Sequence, residues 1–147
     1  TAAIERADLN KSYNLVTLLI GVNNQFRGRD VEEYRTQFAK LLQTAINFTG
    51  DEESVIVISI PDYGVTPFAQ DRNPEKIAEE IDLFNQINRE ETQKTDARYI
   101  DITGISRQAK SNSELIASDG LHPSGQMYRL WVEEIFPVAK QILDKNN

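Results

Sequence analysis

Three short apolar runs, rich in β-branched residues, recur along this chain and restrict it to one kind of architecture. Leu15-Val16-Thr17-Leu18-Leu19-Ile20, Val55-Ile56-Val57-Ile58-Ser59-Ile60 and the shorter Arg98-Tyr99-Ile100-Asp101-Ile102 have the length and composition of strands. The first has the continuous apolar character expected of a strand buried on both faces. Between the runs lie stretches with helical spacing. Val31, Tyr34, Phe38, Leu41, Leu42, Ala45 and Ile46 make one apolar stripe, opened by Asp30 with Glu33 as a capping box and stopped by Gly50. Asn73 and Pro74 read as cap and first turn of a second helix, with Ile77, Ile81, Phe84 and Ile87 on its buried face. A third helix starts near Ser124 and buries Met127, Trp131, Ile135, Val138 and Ile142, with Pro137 expected to kink or divide it. Strands alternating with helices in this way predict an α/β fold, a parallel sheet covered by helices on both faces.

The remaining segments add little structure. Residues 1–9 read as the second half of a helix, and Ser111 to Ala117 as a helical turn. There is no internal repeat, low-complexity tract or sign of a second domain, so residues 1–147, 39% hydrophobic, read as a single domain able to bury a core. A formal net charge of -7 with no basic run argues against nucleic acid or an anionic membrane as partner. No apolar run approaches the ~20 residues of a membrane span. Cysteine is absent, which removes disulfides, thiolate metal sites and a cysteine nucleophile and leaves the compartment open.

Chemistry in such a sheet gathers outside the carboxyl ends of the strands. Gly21-Val22-Asn23-Asn24, Pro61-Asp62-Tyr63-Gly64 and the segment after Ile102 all fall at that end, which brings Asn23 and His122 into one crevice. His122 is the only histidine, set in Ser118-Asp119-Gly120-Leu121-His122-Pro123-Ser124 just before the last helix. Histidine exchanges protons near neutrality, and a carboxylate such as Asp119 beside it can fix its tautomer and orientation. The plainer alternative is a surface histidine or one satisfied within the core. Metal binding by the pair is disfavoured, because three or four ligands are needed and there is no second histidine. Asn23, after a strand and a glycine, reads first as a turn former tolerating positive φ. Its functional alternative is an amide donor to a developing oxyanion, worth about 3 kcal/mol where such donors act. Pro61 to Gly64, with Val65 and Phe68, reads as a turn, or else as a wall of a substrate pocket. Glu52, Glu53, Glu90 and Glu91 read as solvated charge. No dinucleotide, phosphate-loop or G-x-S-x-G pattern occurs.

The Gly21-Val22-Asn23-Asn24 block after a strand, together with Asp119-Gly120-Leu121-His122-Pro123 before the last helix, resembles the SGNH (GDSL-type) hydrolases. The resemblance covers essentially the whole chain. It implies a flavodoxin-like three-layer α/β/α fold and a carboxylic ester as small-molecule substrate, with no metal or organic cofactor. It also implies His122 as general base, Asp119 as its orienting carboxylate and Asn23 as an oxyanion donor. Asn24 stands where that family usually has aspartate. The family's Gly-Asp-Ser nucleophile block and its second oxyanion block, which carries a glycine, have no counterpart here. Ser12, Ser54, Ser59, Ser106, Ser111, Ser113, Ser118 and Ser124 all lie outside such a context. The expectation is therefore an N-terminally incomplete domain, lacking a strand, a helix and a further short strand of roughly 30 to 60 residues. The full-length protein would be a serine esterase, and the chain as given nearly inert. An open apolar sheet edge would favour self-association. The alternative on the same fold is a non-catalytic binding or assembly module.

Overall fold

The computed structural model describes residues 12–145 together with Ile4, Arg6, Ala7 and Leu9. The helix expected over residues 1–9 therefore lies mostly outside the described residues. Three parallel strands, β1 (Val16–Leu18), β2 (Val55–Ile58) and β3 (Arg98–Ile100), form a sheet in the order β1-β2-β3. Val16 pairs with Val55 and Leu18 with Val57, and on the other side Ile56 pairs with Arg98 and Ile58 with Ile100. The helices are α1 (Val22–Phe26), α2 (Val31–Thr49), α3 (Pro74–Thr92), the single turn α4 (Thr103–Ser106) and α5 (Gly125–Lys145).

The alternation of side chains along β2 generates the layers. Val55 and Val57 face the apolar stripes of α2 and α3, including Tyr34, Phe38, Ile81 and Phe84. Ile56 and Ile58 face the opposite way, towards Met127, Trp131 and Ile142 of α5. All four residues of β2 are buried, at about 1.5–3 kcal/mol for each large side chain withdrawn from water. The N–H of Ser59 still donates to the Ile100 carbonyl, and beyond it the ladder is continued by a side chain. Asn85 Oδ1 accepts the N–H of Ile60 at 2.7 Å, and its Nδ2 donates to the Ile60 carbonyl at 3.0 Å.

The caps follow local chemistry. Asp30 accepts the N–H groups of Glu32 and Glu33 at the start of α2, and Gly50 closes that helix in the left-handed conformation. Asn73 accepts the N–H of Lys76 ahead of Pro74. Ser113–Leu115 forms the expected short helical turn.

Four expectations are corrected. β1 is not buried on both faces: Val16 and Leu18 are half-buried and Thr17 is exposed, because among the described residues β1 has a strand neighbour on one side only. The helix containing Pro137 is undivided. Pro137 and Glu133 are both exposed, so a carbonyl at Glu133 deprived of its donor can turn to water. Ile135 and Val138 are half-buried rather than buried. Glu91 is not solvated charge; it is 7% exposed and lies 2.8 Å from Arg35 Nη1 and 2.7 Å from Lys94 Nζ. Among the described residues no helix is long and apolar enough to cross a membrane.

Candidate active site

Asn23 is held by a helix rather than by the open turn its sequence suggests. The chain leaves β1 and folds at once into α1, with Gly21 as its first cap at φ 124°. That conformation suits glycine alone, and a Cβ there would collide with Tyr34 Oη and Ile60 Cδ1. Asn23 is exposed in the first turn of α1, and its side chain makes no hydrogen bond with another described residue. Asn24 turns the other way, its Nδ2 donating to Gln37 Oε1 at 3.3 Å and tying α1 to α2.

The loop after β2 is anchored from below. Asp62 is 3% exposed. Its Oδ1 accepts the N–H of Gly64 at 2.8 Å, and its Oδ2 lies 2.9 Å from Arg107 Nε. The N–H of Asp62 donates to Ser106 Oγ, whose own proton goes to the Thr103 carbonyl at 2.7 Å. Tyr63, Val65 and Phe68 are thereby presented on a fixed backbone.

The third component is the loop 115–124. The N–H of Ala117 donates to the His122 carbonyl and the N–H of Ser124 to the Leu115 carbonyl, at 2.8 and 2.9 Å. Gly120 adopts φ 73° at its tip and accepts the N–H of Phe68 at 3.0 Å, which joins this loop to the one after β2. Ser124 Oγ accepts the N–H of Met127 and opens α5.

Within that loop Asp119 and His122 meet. Asp119 Oδ2 lies 2.6 Å from His122 Nδ1, and Oδ1 accepts the backbone N–H groups of Leu121 and His122, both at 2.9 Å. The N–H of His122, then that of Leu121, then the imidazole pull the Asp119 carboxyl down to about 2. A carboxylate on Nδ1 favours the tautomer that leaves Nε2 free to accept a proton. The ring is 68% exposed, and Nε2 has no hydrogen-bond partner among the described residues.

Asn23 and His122 line one cavity of about 440 Å³, as expected; Asp119 lies outside its lining. Pro61, Tyr63, Val65 and Phe68 contribute to its wall. Phe26 and Leu121 also line it, and so do Met127 and Trp131, whose helical spacing predicts only a core position. The two α5 residues face both ways, packing under the sheet and lining the cavity. Their position one and two turns beyond Ser124, where the helix opens, is the signal for this in the sequence. Ser106, which also lines the cavity, has its hydroxyl committed as described above. Among the described residues no three His, Asp or Glu side chains converge into a metal-holding group.

Comparison with known proteins places this geometry in context. The profile of the GDSL-like Lipase/Acylhydrolase family matches residues 2–130. No curated protein matches the chain in a sequence search. Among solved structures it is similar to an α/β hydrolase from the metagenome of Lake Arreo, Spain, with a TM-score of 0.70 and 14% identity. It is also similar to the psychrotrophic esterase EstA from Pseudoalteromonas sp., determined inhibited by monoethylphosphonate, with a TM-score of 0.61 and 18% identity. The superpositions cover 96% and 97% of this chain but 66% and 68% of those, so it spans about two thirds of either neighbour's length. At these identities the likeness shows the fold. The family profile, extending from the first residues into α5, carries the assignment: this chain belongs to the GDSL-like lipase/acylhydrolase family.

Proposed function

We propose that the full-length protein hydrolyses carboxylic esters by an acyl-enzyme route in which residues 1–147 supply the base, its orienting acid and part of the oxyanion site. A serine outside these residues attacks the ester carbonyl. His122 Nε2 takes its proton and returns it to the departing alcohol, and water then releases the acid. Asp119 keeps the imidazole in the required tautomer and stabilises the imidazolium. The Asn23 amide donates to the oxygen that gains charge. The observation that carries this reading is the 2.6 Å contact between Asp119 and His122 Nδ1 at the margin of a cavity that Asn23 also lines. Family membership supports ester hydrolysis as the reaction class.

The committed hydroxyl of Ser106 bears on the nucleophile. A serine that both donates to a carbonyl and accepts a backbone N–H is ill placed to attack. Residues 1–147 by themselves are therefore expected to bind esters without turning them over.

The test is hydrolysis of p-nitrophenyl acetate by the full-length protein and by the 147-residue chain. Turnover by the full-length protein that disappears in His122→Ala supports the reading. Activity that survives His122→Ala overturns it.

A further inference from the structure

The cavity shared by Asn23 and His122 is apolar in its body and cationic at its mouth. Phe26 and Phe68 stand at that mouth, 46% and 39% exposed. With Tyr63 they form an aromatic cluster whose ring centroids lie 6.0 to 6.5 Å apart. The Arg72 guanidinium stacks on two of these rings, 4.6 Å from the Phe68 centroid and 5.3 Å from that of Phe26. Stacking of this kind fixes a guanidinium while leaving its N–H fork open to a further partner.

Arg72 is also a charge left over. Most described lysines and arginines are paired with carboxylates, in a protein whose formal charge is -7. Arg72 makes no ion pair with another described residue. The acidic groups around Tyr63 are engaged elsewhere. Glu80 is held by Lys76 at 3.6 Å and by Gln25 at 2.7 Å, and Asp62 by Arg107. The neighbouring Asp71 does not pair with Arg72. Arg72 is thus a cation with no carboxylate partner among the described residues, set on two aromatic rings of the cavity wall.

We infer that the cavity selects esters carrying an anionic group, a carboxylate or a phosphate, at the far end of an apolar portion, with Arg72 as the residue that recognises the charge. The apolar portion lies among Val65, Leu121, Met127 and their neighbours, and the anion meets the open fork of Arg72 on the aromatic shelf. This selectivity rests on the esterase reading for its turnover, but the binding step is separable from it.

The experiment uses the full-length protein and three probes with one chain length, n-octyl phosphate, octanoate and n-octanol, titrated calorimetrically at low and moderate salt. The two anions are expected to bind about threefold to tenfold tighter than octanol, with the margin shrinking as salt is added. Arg72→Gln should remove most of that margin while leaving octanol binding unchanged, and Arg72→Lys should retain much of it. A preference for octanoate alone that ignores Arg72 would mean that the carboxylate is held beside His122, and would overturn the inference. Equal binding of all three probes, or no binding, overturns it too. The esterase reading fails separately. Wild-type protein that shows the Arg72-dependent preference yet hydrolyses no p-nitrophenyl ester would leave the cationic mouth standing and remove the catalysis.

Discussion

Asp119 holds His122 twice, through the backbone and through the ring. One carboxylate oxygen accepts the His122 N–H at 2.9 Å while the other lies 2.6 Å from Nδ1. Position and tautomer of the imidazole are set by the same group, so a neutral isostere should cost far more in turnover than in folding. Asp119→Asn in the full-length protein is expected to lower kcat/KM for p-nitrophenyl acetate about a thousandfold to ten-thousandfold. A variant within tenfold of wild type would show that something else orients the ring.

Asn23→Ala should act on kcat rather than on KM. The uncommitted amide is proposed to meet the oxygen only as charge develops, and removing one such donor costs a factor of about a hundred to a thousand. Steady-state kinetics that showed a raised KM with kcat unchanged would reassign Asn23 to ground-state binding.

The loop that carries the pair should have its own acid limit. The Asp119 carboxyl is lowered from 3.8 to about 2, chiefly by the N–H of His122. A group with a depressed native pKa contributes stability that is complete above its unfolded value and fades as pH falls through its native one. Hydrogen-exchange protection of the Leu121 and His122 amides is thus expected to hold down to about pH 4 and to decline towards pH 2. Loss of protection centred above pH 4 would contradict the assigned contacts.

Two glycines offer a matched test of the scaffold. Gly21→Ala combines an unfavourable φ with collisions against Tyr34 and Ile60, and should destabilise the protein by about 2–4 kcal/mol in urea unfolding. Gly125→Ala, at the start of α5 with open space around a Cβ, should change stability by less than about 1 kcal/mol. Equal effects would mean that Gly21 is not required by the close approach of Tyr34.

Much of this architecture could be read from the residues because it is local. β-Branched runs announced all three strands, and Asp30, Gly50, Asn73 and Ser124 announced the helix ends from side chains a few positions away. What escaped was decided at long range. Nothing near Val16 or Leu18 tells that β1 has one neighbour. Glu91 looks like any surface glutamate until α2 delivers Arg35 beside it. Asn23 followed the same logic: glycine and asparagine together suggest a turn, but the packing of Gly21 under Tyr34 and Ile60 starts a helix instead. The pairing of Asp119 with His122 was legible from a spacing of three residues, whereas the aromatic shelf under Arg72 unites Phe26 with Phe68 across the sheet and left no trace in either segment.

The two halves of the candidate site come together on different terms. Asp119 and His122 belong to a short loop closed by its own hydrogen bonds, and loops of that size close within about 10–100 ns. Asn23 joins them only when residues about a hundred apart in the chain are brought together through β1, an edge strand among the described residues, a slow and non-local event. A folding chain can therefore pair Asp119 with His122 well before Asn23 reaches the position in which it is proposed to meet an oxyanion. By the same reasoning, and on the proposed mechanism, a fluctuation that loosens β1 would lower ester turnover while leaving Asp119 and His122 in contact.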